Sequence, residues 1–260
     1  MVWLRIVDDF PGPLCQNAPV MNGNGPALPL SDVLARVVEA AARQGAVVAF
    51  DLDSTVIDNR PRQVRIFHEF ALRRGVGELL AVRPEHWKSW DLCEAMRNAG
   101  VAAERATALR EEVGAFWWER FFSGEYCRWD EAVPGAVDLL RAVTGAGATI
   151  AYVTGRHEPM REGTLASLRE HGFPLPNGAS SRVHLLMKPR LKMDDDQWKL
   201  DAQSLLRALG EVVAAFDNEP AHANAYRQGF PDAIVVHRIA DHSGRDIALL
   251  PGIVSIEHFE

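Results

Sequence analysis

The stretch Ala46-Val47-Val48-Ala49-Phe50-Asp51-Leu52-Asp53-Ser54-Thr55-Val56 decides how this chain reads. Five apolar residues without a polar interruption suit a strand covered on both faces, as in a parallel sheet. That run ends in two aspartates separated by one residue. A lone pair of this kind is most often a solvated turn. Directly past a buried strand, however, two like charges repel, and a cation or a raised pKa must compensate.

Upstream, Ser31 reads as the N-cap of a helix over VLARVVEAAAR, which Gly45 closes. Residues 1–30 carry Pro11, Pro13, Pro19, Pro26 and Pro29 with three glycines. They read as an extended arm on the fold, with one short edge strand at 2–7. Downstream the strand pattern recurs at Ala148–Val153 before Thr154, at Val183–Met187, at Glu211–Phe216 before Asp217, and at Ala233–His237. Helical stretches follow, one starting around Pro159, one over Gln197–Leu209 and one after Asp217. Strands alternating with helices predict a doubly wound, mainly parallel α/β sheet of five strands, with a Rossmann-like core. In such sheets ligands bind at the carboxyl ends of the strands, where Asp51, Thr154 and Asp217 fall.

About a hundred residues separate Asp53 from Thr154, more than one crossover needs. Residues 60–75 and 102–122 both show helical spacing, the second through Ala106, Leu109, Val113, Phe116 and Trp117. Five of the seven tryptophans fall in this segment and read as the core of a helical lobe. The chain therefore divides into an arm at 1–30, an α/β core at 31–57 and 134–260, and an inserted α-helical domain at 58–133.

The 260 residues, 47% hydrophobic and 24% charged, exclude collagen-like, low-complexity and wholly disordered chains. No apolar run approaches the ~20 residues of a membrane span, and no secretory signal is visible. Cys15, Cys93 and Cys127 are widely spaced and read as reduced thiols of a cytoplasmic protein. A formal charge of −7 gives no general attraction to nucleic acid.

Four motifs in order resemble those of the haloacid dehalogenase superfamily of phosphotransferases. VVAFDLDSTV at 47–56 is similar to the family's strand followed by DxDx[TV]. TIAYVTGR at 149–156 resembles its strand ending in Thr or Ser, and Lys199 its lysine on a helix before the fourth strand. VVAAFDNEP at 212–220 resembles its strand ending in acid. The helical insert looks like the family's cap placed after the first motif.

The resemblance implies a Mg²⁺-dependent phosphomonoester hydrolase acting on a small phosphorylated metabolite through an aspartyl-phosphate. Asp51 would be the nucleophile, and Asp53 the general acid and base. Asp51, Asp217 and the Asp53 main-chain carbonyl would hold the metal, hard oxygens suiting Mg²⁺. Thr154, Gly155 and Arg156 would bind phosphate near a helix start, with Arg156 alternatively ordering Asp217 or lying on the surface. Lys199 would neutralise charge on Asp51 and the phosphoryl group, with Lys188 as its rival. Thr55 completes the first motif, and Asn218 and Glu219 are candidates for holding metal-bound water. Arg60, Arg62 and Arg65 would either read an anionic substrate tail or form a solvated helix face. His157, His222 and His242 lack metal-ligand spacing and read as structural or surface groups. A 2-haloacid dehalogenase would have no use for Asp53 or Asp217. A nucleic-acid end phosphatase sits poorly with the acidic balance, and a non-catalytic binding protein would have lost catalytic groups. No nucleic-acid or membrane partner is expected.

Overall fold

A computed structural model describes residues 30–178 and 180–260; the arm proposed at 1–30, with its strand at 2–7, lies almost wholly outside the described residues. Helix α1 spans Leu30–Ala41 and leads into strand β1, Ala46–Phe50. Ser31 is the second residue of α1, not its cap. Leu30, already helical, packs at the edge of the core beneath. The two-residue strands β2, Ile57–Asp58, and β3, Glu131–Ala132, pair antiparallel, and the helical insert leaves and returns through them. Between them lie α2, Arg60–Arg74, α3, Leu92–Asn98, and α4, Ala103–Phe121, with three short 3₁₀ turns at 77–81, 84–86 and 124–129.

The second half continues with α5, Ala136–Gly145, β4, Thr149–His157, α6, Arg161–Glu170, β5, Val183–Lys188, and α7, Asp195–Leu209. It ends with β6, Glu211–Asp217, α8, Pro220–Gly229, β7, Ile234–Arg238, and β8, Val254–Ile256. The main sheet has six parallel strands in the order β5-β4-β1-β6-β7-β8. The expected sheet lacked β8, whose three residues between Gly252 and Glu257 are too few to show periodicity. Hydrophobic residues alternate across β1. Val48 and Phe50 face a core shared with α1 and α5, and Val47 and Ala49 one shared with α7 and α8. Phe50 stacks on Phe216 with ring centroids 4.7 Å apart, a contact worth about 1 kcal/mol beyond burial.

The insert buries its own cluster, including Phe67, Phe70, Leu79, Trp87, Met96 and Val113. Trp87 and Trp117 are core residues, as the spacing implies, whereas Trp129 is 39% exposed. At the insert's exit, Gly124 and Gly163 of α6 meet so closely that a Cβ on Gly163 would lie 1.9 Å from the Gly124 carbonyl oxygen. Only glycine allows that approach, and it brings the segment carrying Cys127 and Asp130 against α6 and against Arg156 of β4. Gly135, at φ +74°, then turns the chain into α5.

Candidate active site

The strand order reverses at β1, so its carboxyl end opens onto the crevice between β4 and β6, where ligands bind in open parallel sheets. Asp51 follows β1 directly, Asp217 ends β6 and Thr154 lies on β4. All three are buried. Lys199 reaches them from the first half of α7, because Trp198 beside it anchors the helix by donating its indole N–H to the Thr154 carbonyl at 2.9 Å. The Lys199 ammonium donates to Asp51 Oδ1 at 2.7 Å, to Asp217 Oδ2 at 2.7 Å and to the Val153 carbonyl at 2.8 Å. Its three protons are thereby used. Although burial alone would lower it, the charges of Asp217 and Asp51 hold Lys199 well above the ordinary lysine range. Lys188, its rival in the sequence, instead pairs with Asp195.

Thr55 closes the other side of Asp51, donating to Oδ2 at 2.9 Å and accepting the Asn218 backbone N–H at 3.0 Å. Burial pushes the Asp51 carboxyl up to about 6, against the pull of Lys199 and with Asp217 adding to the push. Asp217 behaves oppositely. Despite burial, Lys199 and His222 hold it well below the usual carboxylate range. His222 lies between Asp217 Oδ1 at 3.4 Å and Asp196 Oδ1 at 2.9 Å, and these partners, working against burial, raise it to about 9.

Asp53 occupies a different environment. Arg156 donates to it side-on, Nε to Oδ2 at 2.7 Å and Nη2 to Oδ1 at 2.8 Å. Arg62 Nη2 reaches Oδ1 at 2.7 Å, and the Asn59 amide reaches the same oxygen at 3.1 Å. Asp130 joins both guanidinium groups from behind. Its Oδ2 accepts from Arg156 Nη2 at 2.7 Å, and its Oδ1 lies 3.0 Å from Arg62 Nε as an ion pair out of line for a hydrogen bond. Burial would raise Asp53, but Arg156 and Arg62 hold it well below the usual carboxylate range.

The sequence reading places Arg156 on phosphate, on Asp217 or at the surface. The structure corrects this. The side chain is buried on Asp53 and Asp130, and its remaining nitrogen faces Cys127 Sγ at 3.5 Å and Thr164 Oγ1 at 3.4 Å. A break in the β4–β5 register between Thr154 and His157 turns it there, since bulged residues re-aim their side chains. Arg62 is likewise neither a solvated face nor free for a substrate tail, being buried on Asp53 and Asp130, and Arg60 is paired with Asp58. The sequence carries a partial signal, which does not say which anions are met. Basic residues in the first turn of α2 oppose the helix dipole and must find anions. Thr154 accepts the Arg156 backbone N–H on its hydroxyl at 3.1 Å, and Gly155 lies against Asp195. Glu219 is bound by Ser243 and Arg245, and Asn218 by Thr55 and Asp241.

Asp241 also escaped the sequence reading. Its buried carboxylate accepts from Ser54 at 2.8 Å, steadying the one non-glycine residue at positive φ (+58°) among the described residues. No group of three His, Cys, Asp or Glu side chains forms a metal cluster among the described residues. The hard donors here are the paired carboxylates of Asp51 and Asp217, and the burial, with Asp217 adding to it, that raises Asp51 is a penalty a divalent cation relieves.

No protein-family model and no curated protein matches this chain. Solved structures do. A haloacid dehalogenase-like family hydrolase from Streptococcus pneumoniae aligns over 81% of this chain and 93% of its own at 13% identity, with TM-score 0.50. The Mycobacterium tuberculosis protein tyrosine kinase A aligns over 80% and 92% at 20% identity, with TM-score 0.48. A HAD-superfamily hydrolase from Ehrlichia chaffeensis aligns over 83% and 92% at 14% identity, with TM-score 0.44. The chain thus has the α/β fold of the haloacid dehalogenase-like hydrolases. At these identities the likeness carries the fold, and the chemistry must be argued from the site.

Proposed function

We propose that this protein is a phosphomonoester hydrolase that transfers the phosphoryl group of a small metabolite to Asp51 and then to water. One observation carries the reading. A buried aspartate at the end of the central strand shares a single lysine ammonium with a second aspartate and receives a threonine hydroxyl on its other oxygen. That arrangement orients one carboxylate oxygen as a nucleophile and sets positive charge beside it, where an anionic ester must approach. Asp51 and Asp217, with the Asp53 carbonyl, are the residues that would hold Mg²⁺. When bound, the ion supplies charge neutralisation and a clamp for the phosphoryl oxygens.

The chain's own groups account for the remaining steps. Lys199 balances charge on Asp51 as the ester bond to the leaving oxygen breaks and the Asp51–phosphorus bond forms. Asp53 acts at the leaving oxygen and then takes a proton from the attacking water, which releases inorganic phosphate and restores Asp51. Held as an anion by Arg156 and Arg62, Asp53 is in the form the second step uses. Donating to the leaving oxygen requires that Asp53 first be protonated and its guanidinium contacts loosen. The expected result is Mg²⁺-stimulated hydrolysis of p-nitrophenyl phosphate that falls to background in Asp51→Asn. Undiminished turnover in that variant, or full activity in EDTA, overturns the mechanism. A panel of phosphorylated metabolites then identifies the substrate.

A further inference from the structure

We propose that Arg62 and Asp130, both carried by the helical insert, are positioning residues for Asp53, so that the second carboxylate of the site is aimed jointly by the insert and the sheet. The proposal rests on the phosphoryl-transfer reading for its kinetic consequence, and on geometry alone for its structural one.

Asp53 leaves β1 on a turn outside the sheet's own hydrogen bonding, and nothing in the strand determines its χ angles. Its two oxygens are held by Arg156 from β4 and by Arg62 and Asn59 at the start of α2. Arg62 has little freedom of its own. Its side chain is fully buried, its guanidinium lies 4.1 Å over the Phe121 ring, and Nη1 donates to the Phe121 carbonyl at 3.2 Å. Asp130, also fully buried, holds the rear of both arginines and fixes the angle between the two forks. A guanidinium presents a rigid planar fork, so two of them, with the Asn59 amide beside them and Asp130 behind, determine where the Asp53 carboxylate points. An ammonium cannot reproduce that fork, because it is a point charge on a flexible stem. Of the four groups that form this hold, Arg62, Asn59 and Asp130 lie between β2 and β3, so a sheet without the insert would leave Asp53 held by Arg156 alone.

The test compares Arg62→Lys and Asp130→Asn with the wild type on two readouts. The first is kinetic, with p-nitrophenyl phosphate and magnesium. Misdirecting Asp53 should lower kcat roughly 10²-fold, the share of a positioned acid/base group. Because hydrolysis of the phosphorylated enzyme then limits turnover, KM should fall together with kcat, and phosphorylated enzyme should accumulate by intact-protein mass. The second is independent of activity: the side-chain carbonyl resonance of Asp53 in ¹³C-aspartate-labelled protein, identified by its loss in Asp53→Asn. It should move in both variants while that of Asp217 stays in place. Wild-type kcat in both variants overturns the positioning role, as does an unmoved Asp53 resonance. A wild type without phosphatase activity whose Asp53 resonance still responds refutes the phosphatase reading and leaves the insert's hold on Asp53 standing. Failure of both variants to fold overturns the proposal in favour of a purely structural ring.

Discussion

Asp51 and Asp53 stand two residues apart at the end of one strand, yet their surroundings drive them in opposite directions. Asp51 shares one ammonium with Asp217, and its carboxyl rises to about 6. Asp53 faces two guanidinium groups and falls well below the usual carboxylate range. Burial raises both, so the difference lies in the number of cations per carboxylate. Around Asp53 two arginines meet two aspartates, and the local charge closes. Around Asp51 two aspartates meet one lysine, while the cationic His222 is divided between Asp217 and Asp196. An unbalanced group suits a site that receives further positive charge with its ligand, and a balanced one suits a fixed support.

Removing the one ammonium is the strongest way to break this contrast. Lys199→Met leaves two buried carboxylates facing each other. It should cost about 3–5 kcal/mol, the range for an uncompensated buried charge, read from urea unfolding, together with most of the turnover. Asp130→Ala unbalances the other group but leaves Asp53 its arginines, so the expected cost is smaller, about 2–3 kcal/mol by the same measurement. Thr55→Val keeps the shape beside Asp51 but removes the hydrogen bond to its charged oxygen and the acceptor of the Asn218 backbone N–H. About 1–2 kcal/mol of stability or roughly tenfold in kcat should follow. Trp129→Ala, on the outer face of the insert beside Arg65 and Arg128, touches neither carboxylate. A change below about 1 kcal/mol, with kcat unaltered, is expected there.

The part of the site visible in the sequence is the part that lies on strand ends. Asp51, Thr154 and Asp217 each follow an apolar run, and Lys199 is recognisable by its place in the series. The cage around Asp53 was hidden for a topological reason. Arg62, Asp130 and Arg156 come from the start of the insert, its exit and a bulged strand, and no spacing rule relates those places. The solvated basic face holds for Arg65, which is exposed beside Trp129, whereas Arg62 is drawn inward by the buried acids Asp53 and Asp130. Similarly β8 follows no periodicity of its own. It is held by pairing with β7 and by Phe259 beyond it, which packs against Phe216 with ring centroids 5.9 Å apart.

The narrow ladder of Ile57–Asp58 against Glu131–Ala132 has a consequence in polymer terms. Everything between these strands is a loop whose ends are already pinned together. For a closed chain the entropy penalty grows only logarithmically with length, by about 0.6 kcal/mol for each doubling. The core can therefore carry a longer or shorter set of helices at that point almost without cost, provided the first turn of α2 and the residues just before β3 are kept.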